Sequence, residues 1–156
     1  MPFPVETALT AESVPKRRRQ RVARVLLADT ALASRLALKS ILSAAGYAVS
    51  GAASAAEAIG KLDEREYQLV LADLRMESED AGPRLLAYAR QKEFRPATAL
   101  IASDISETGR ALRAGQSHNS AVHISNENVY HLLDRVAELI SQRADRRIRR
   151  ANQLTA

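Results

Sequence analysis

Short, mostly apolar runs alternate along this chain with longer stretches in which apolar residues recur every three or four positions. The runs are Val25 to Ala28 closed by Asp29, Tyr47 to Ala52, Leu69 to Ala72 closed by Asp73, Ala97 to Ala102, and Ala121 to Ile124. The runs closed by Asp29 and Asp73, and that over 97–102, predict strands buried on both faces, as in a parallel sheet, and the other two predict further strands. Between the first two, Leu32, Leu36, Leu38, Ile41 and Leu42 predict an amphipathic helix over residues 31–45, with Arg35 and Lys39 opposite and Gly46 as its left-handed stop. Ser54-Ala55-Ala56-Glu57 is a capping box that opens a helix to about Glu64. Pro83 suits a first helical turn, and Leu85, Leu86 and Ala89 form the inner face of a helix ending near Lys92. A short helix is expected from Ser106 to Arg113, before Gly115. The last begins near Glu127 with Val129, Leu132, Leu133, Val136, Leu139 and Ile140 on one stripe. That stripe fades after Ile140, so the Arg-rich end is expected to project into water.

Five strands alternating with five helices predict a single α/β domain with a doubly wound parallel sheet. Right-handed crossovers and the chain's size favour the flavodoxin-like strand order 2-1-3-4-5. In that order the first and third strands are neighbours, so Asp29 and Asp73 face each other at the carboxyl edge. Ligands of open parallel sheets bind at that edge, and two carboxylates there make an acidic pocket.

Composition adds bounds. A length of 156 residues and 46% apolar content suit one domain with a real core and some length left for tails. No cysteine is present, which excludes disulfides and thiolate metal sites. No signal peptide or membrane-length apolar run is apparent, so a soluble cytoplasmic protein is expected. The net charge of +5 is unevenly placed. Residues 1–24 carry six basic side chains against Glu6 and Glu12, while Arg143, Arg146, Arg147, Arg149 and Arg150 stand against Asp145. The expected organisation is a disordered basic tail over residues 1–22, a domain over 23–142 and a basic extension of the last helix over 143–156. Arg clusters supply sequence-independent phosphate affinity. Neither cluster holds an aromatic to stack bases and no recognition motif is present, so solvated tails are favoured over a nucleic-acid interface.

Arg24-Val25-Leu26-Leu27-Ala28-Asp29, Gly46-Tyr47, Leu69-Val70-Leu71-Ala72-Asp73-Leu74-Arg75-Met76 and Ala111-Leu112-Arg113-Ala114-Gly115 occur in this order and spacing. Together they resemble the receiver domain of bacterial two-component response regulators, over about residues 23–142. The resemblance implies that a histidine kinase or phosphotransfer protein hands a phosphoryl group to Asp73. It also implies that Asp29, Asp73 and the backbone carbonyl of Arg75 hold Mg²⁺, that Ser103 reads the phosphoryl group as a hydroxyl, and that copies pair as homodimers. A carboxylate is a poor nucleophile toward phosphate because like charges repel, and a hard cation with a Lys clamp removes that obstacle.

Several positions depart from the family pattern. Thr30 stands where a second acid usually follows Asp29, and is expected to be an N-cap instead. Lys92 is the last lysine, so none stands at the fifth strand, where His123 or Ser125 falls. Glu77 replaces the usual proline, and the register allows Ala102 rather than Ser103 at the hydroxyl position. Arg75 is expected to supply some of the missing positive charge, and Glu77 or Glu79 a further carboxylate for the metal. Two functions follow: a slow phosphoacceptor, or a phosphate-independent interaction module. No nucleophile–base pair or Gly-rich phosphate loop supports a separate enzyme.

Overall fold

The computed structural model describes residues 22–102, 122–125 and 128–155. The tail before Val22, Ser103 and the expected helix from Ser106 to Arg113 lie outside them. The apolar runs form strands β1 (Arg24–Ala28), β2 (Ala48–Ala52), β3 (Leu69–Asp73), β4 (Ala97–Ala102) and β5 (Val122–Ser125). The periodic stretches form helices α1 (Leu32–Ala44), α2 (Ala55–Glu64), α3 (Ala81–Arg90) and α4 (Val129–Thr155). The strands pair in the order β2-β1-β3-β4-β5, every pair parallel. β5 is described by its backbone pairing, from Ala99↔Val122 to Ala102↔Ser125.

Alternation along the strands divides the core into two layers, because successive side chains point to opposite faces. Leu26, Ala28, Val70, Ala72 and Leu100 pack with Ala58, Leu62, Leu85, Leu86 and Ala89 of α2 and α3. Val25, Leu27, Leu69, Leu71, Ala99 and Ile101 pack with Leu38 and Leu42 of α1 and Leu132, Val136 and Leu139 of α4. β1 and β3 are therefore apolar on both faces, and each ends its apolar run where the chain leaves the core.

The helix ends follow local chemistry. Gly46, at φ +103°, closes α1; its N–H donates to Ser43 O and that of Tyr47 to Leu42 O, which satisfies carbonyls left open by the last turn. Ser54 Oγ accepts from Glu57 N–H at α2, and the Glu57 carboxylate reaches back to Ala53 N–H. Asn128 Oδ1 accepts from the N–H groups of Tyr130 and His131 at α4.

Three expectations fail. Thr30 does not cap α1: the N-cap is Ala31, without a side-chain bond, and the Asp29 carboxylate takes the Ala31 N–H instead. Leu32 and Leu36 are 60% and 53% exposed, because the stripe that meets the sheet runs through Leu38 and Leu42. Arg143 does not project into water. It is 6% exposed, its Nε donating to Arg95 O at 3.1 Å and its Nη2 to Phe94 O at 2.6 Å. It continues the inward stripe one turn beyond Leu139.

Candidate functional site

The site is built where β1 and β3 end. Ala28 pairs with Ala72, so Asp29 and Asp73 are each the next residue on neighbouring strands, which in a sheet lie about 4.8 Å apart. Parallel pairing brings both carboxylates to one level of the carboxyl edge. Asp73 is half-buried, and its Oδ1 accepts from Arg75 N–H at 2.7 Å. That bond turns the chain sharply out of the strand. Leu74 N–H donates to Ile101 O, which holds the turn against β4. Gly82 lets α3 begin close to it: a Cβ there would stand 3.1 Å from Asp73 O and 3.1 Å from a Leu100 methyl.

Asp29 is 1% exposed. Its N–H donates to Ala52 O, its carbonyl accepts from Arg35 Nη1 at 2.7 Å, and its Oδ1 accepts from Ala31 N–H at 2.9 Å. Its Oδ2 is buried and has no hydrogen-bond partner among the described residues. A buried carboxylate oxygen left without a donor is costly, and it fits a position that a cation completes. No group of three or more His, Asp or Glu side chains that could hold a metal occurs among the described residues. Mg²⁺ nonetheless fits this donor set, since it is commonly bound through one or two carboxylates while keeping several waters.

The other expected residues fall out differently. Glu77 does not turn into the pocket: both its carboxylate oxygens accept from Ala55 N–H, at 3.2 and 3.0 Å. It places negative charge on the N-terminus of α2, where the helix dipole favours it. Glu79 and Arg75 are exposed. The register pairs Asp73 with Ile101, so the strand position one step beyond is Ala102, buried and opposite Ser125. A methyl group therefore stands at the end of β4. His123 and Ser125 lie on β5, whose side chains are outside the description.

Arg35, expected only on the polar face of the first helix, lies with its side chain against Gly51 and donates to the Asp29 carbonyl. The only signal was its place one turn into the helix that follows an acid. Behind the site, Asp63 of α2 accepts from the Tyr88 hydroxyl at 2.6 Å and pairs with Lys92. The Lys92 ammonium, and then the Tyr88 hydroxyl, hold the Asp63 carboxyl below the usual carboxylate range; Lys92 is raised in turn by Asp63.

Comparison with known proteins identifies the family and the fold. The family model of the response regulator receiver domain matches residues 25–119. A receiver protein from Sinorhizobium medicae superposes with a TM-score of 0.67 at 23% identity, covering 79% of this chain and 98% of that one. A CheY-like receiver domain protein from Methanospirillum hungatei gives 0.63 at 22% identity, covering 80% and 98%. A chemotaxis response regulator of Vibrio cholerae gives 0.62 at 20%, covering 76% and 98%. No curated protein matches the chain in sequence. At such identities the structural likeness speaks for the fold. Among the described residues, no helix is long and apolar enough to cross a membrane.

Proposed function

The chain belongs to the response regulator receiver domain family, and from that premise we propose that it serves phosphorelay signalling by accepting a phosphoryl group on Asp73. Receiver domains interact with kinases or phosphotransfer proteins, and the donor here is of that class. The observation that carries the reading is the orphaned Asp29 Oδ2, buried one strand from Asp73. In this reading a carboxylate oxygen of Asp73 forms a P–O bond to the incoming phosphorus as the donor's bond to that phosphorus breaks, leaving an acyl phosphate. Arg75 N–H fixes the orientation of the Asp73 carboxylate through Oδ1.

Asp29, Asp73 and the Arg75 backbone carbonyl would hold Mg²⁺. Bound there, the cation supplies the positive charge that offsets repulsion between the carboxylates and the phosphoryl oxygens. Ser103 supplies the hydroxyl that reads the phosphoryl group, and the Arg75 guanidinium replaces part of the charge that a lysine gives elsewhere. Leu32 and Leu36, exposed on the first turns of α1 just beyond Asp29, offer apolar area for the donor protein.

A second reading is a phosphate-independent interaction module. It is favoured by the absence of any lysine after Lys92 and by the methyl of Ala102 at the end of β4. Incubation with Mg²⁺ and acetyl phosphate separates the two by intact mass. The first reading expects one added phosphoryl group in the wild type, none in Asp73→Asn and slower addition in Arg75→Ala. No addition in a folded wild type leaves the second.

A further inference from the structure

The opposite edge of the sheet carries a feature that phosphoryl acceptance does not use. Where β4 begins, a cleft of about 310 Å³ is lined by Arg90, Arg95, Arg143, Arg146, Arg147 and Arg150. The rest of its lining is Pro96, Ala97, Thr98, Leu139 and Gln142, with no carboxylate among them. α4 supplies one wall. Arg143 and Arg147, and likewise Arg146 and Arg150, are four residues apart, which sets each pair on one helix face about 6 Å apart along the axis. The other wall is the end of α3 and the turn before β4, where Arg95 holds the left-handed conformation at φ +40°.

This wall is anchored, because buried Arg143 ties α4 to the Phe94 and Arg95 carbonyls. Burial first, and then the charges of Arg147 and Arg146, push the Arg143 guanidinium below its ordinary value, against a pull from Glu66. The groove is thus held together against its own repulsion.

We propose that this groove binds a linear polyphosphate chain, its phosphates held by Arg146, Arg147 and Arg150 on one side and Arg95 on the other. Guanidinium forks match phosphate oxygens two at a time. The pairs one turn apart span more than one anionic group of a chain rather than a single ion. No aromatic lines the groove, so a base has nothing to stack on and contact is made through phosphates alone. The volume is at the small end of ligand clefts and suits a few phosphates. The same chemistry is offered by a free polyphosphate and by the backbone of a nucleic acid.

The test is calorimetric titration of the full chain with sodium tripolyphosphate at low ionic strength. Binding is expected that weakens steeply with added salt. It is expected to be lost by about tenfold or more in Arg146→Glu/Arg147→Glu/Arg150→Glu, three exposed positions whose reversal leaves the core intact, as circular dichroism would show. Asp73→Asn is expected to bind as the wild type does. Failure of tripolyphosphate to bind, equal binding by the triple variant, loss of binding in Asp73→Asn, or equally tight binding of tetraglutamate would each overturn the proposal. Competition by random duplex DNA assigns the groove to a nucleic-acid backbone; retained tripolyphosphate binding without competition assigns it to free polyphosphate. Both outcomes uphold the site.

Discussion

The two oxygens of Asp29 have different surroundings: Oδ1 holds the entry to α1, while Oδ2 is buried without a donor. Leaving such a group unsatisfied costs about 1–3 kcal/mol, more when charged. A cation that satisfies it therefore stabilises the fold by binding the native state alone. Mg²⁺ is expected to raise the melting temperature of the wild type and not that of Asp29→Asn; equal rises in both would remove Asp29 from the metal site. Arg143 makes the contrasting case of a charge with partners. Its truncation to Ala leaves the Phe94 and Arg95 carbonyls without it and removes charge-assisted bonds worth about 1.5–3 kcal/mol each before compensation by water. Urea unfolding is expected to show a loss of about 2–3 kcal/mol for Arg143→Ala, against a change within about 0.5 kcal/mol for the exposed Arg149→Ala.

At the scale of elements, α2 and α3 are joined through Asp63, Tyr88 and Lys92, with the Lys92 ammonium 5.0 Å from the centre of the Tyr88 ring. The folded Asp63 carboxyl titrates below its ordinary value, near 3.8. Its contribution to stability is therefore present above that value and is lost as pH falls through the folded one. Melting temperatures of wild type and Asp63→Asn are expected to differ at neutral pH and to converge below 3.8; a constant gap would exclude the carboxylate as its source. α1 carries a different prediction. Leu36→Asp lies on an exposed turn and is expected to slow phosphotransfer from a protein donor at least severalfold while leaving acetyl phosphate labelling unchanged. Paired assays of the two donors decide.

The strands and the level of Asp29 and Asp73 were legible because buried parallel strands write themselves as continuous apolar runs. The helix stop at Gly46 and the start at Ser54 were legible because single residues carry that chemistry. The outward turn of Leu32 and Leu36 was not, since periodicity gives a stripe but not which leucines lie at its margin. Nor was the inward turn of Arg143, where a charged side chain sits at a position an apolar residue would ordinarily mark. Glu77 and Glu79 are alternative pocket acids by sequence distance from Asp73, but in space Glu77 accepts from Ala55 N–H at the N-terminus of α2.

For the molecule as a whole, the net charge of +5 conceals a polarity along the sheet. Carboxylates gather at the carboxyl edge of β1 and β3, and arginines gather at the amino edge of β4. The six residues of β4 set the two about 20 Å apart, about two Debye lengths at moderate salt. Each end therefore works largely unaffected by the field of the other. α4, about 40 Å long, begins beside the fifth strand and carries its arginines past the far edge. One domain thus presents an acidic pair at the carboxyl edge and a separate cationic groove at the other end of the same sheet.

In the proposed function the acid closing β3 takes the phosphoryl group. After treatment with acetyl phosphate and Mg²⁺, reduction with borohydride converts an acyl phosphate on an aspartate to homoserine, which peptide mass mapping then locates. Homoserine at position 73, absent without Mg²⁺, is the result expected. A phosphoryl group found on a histidine, or homoserine at any position other than 73, would rule out Asp73 as the acceptor.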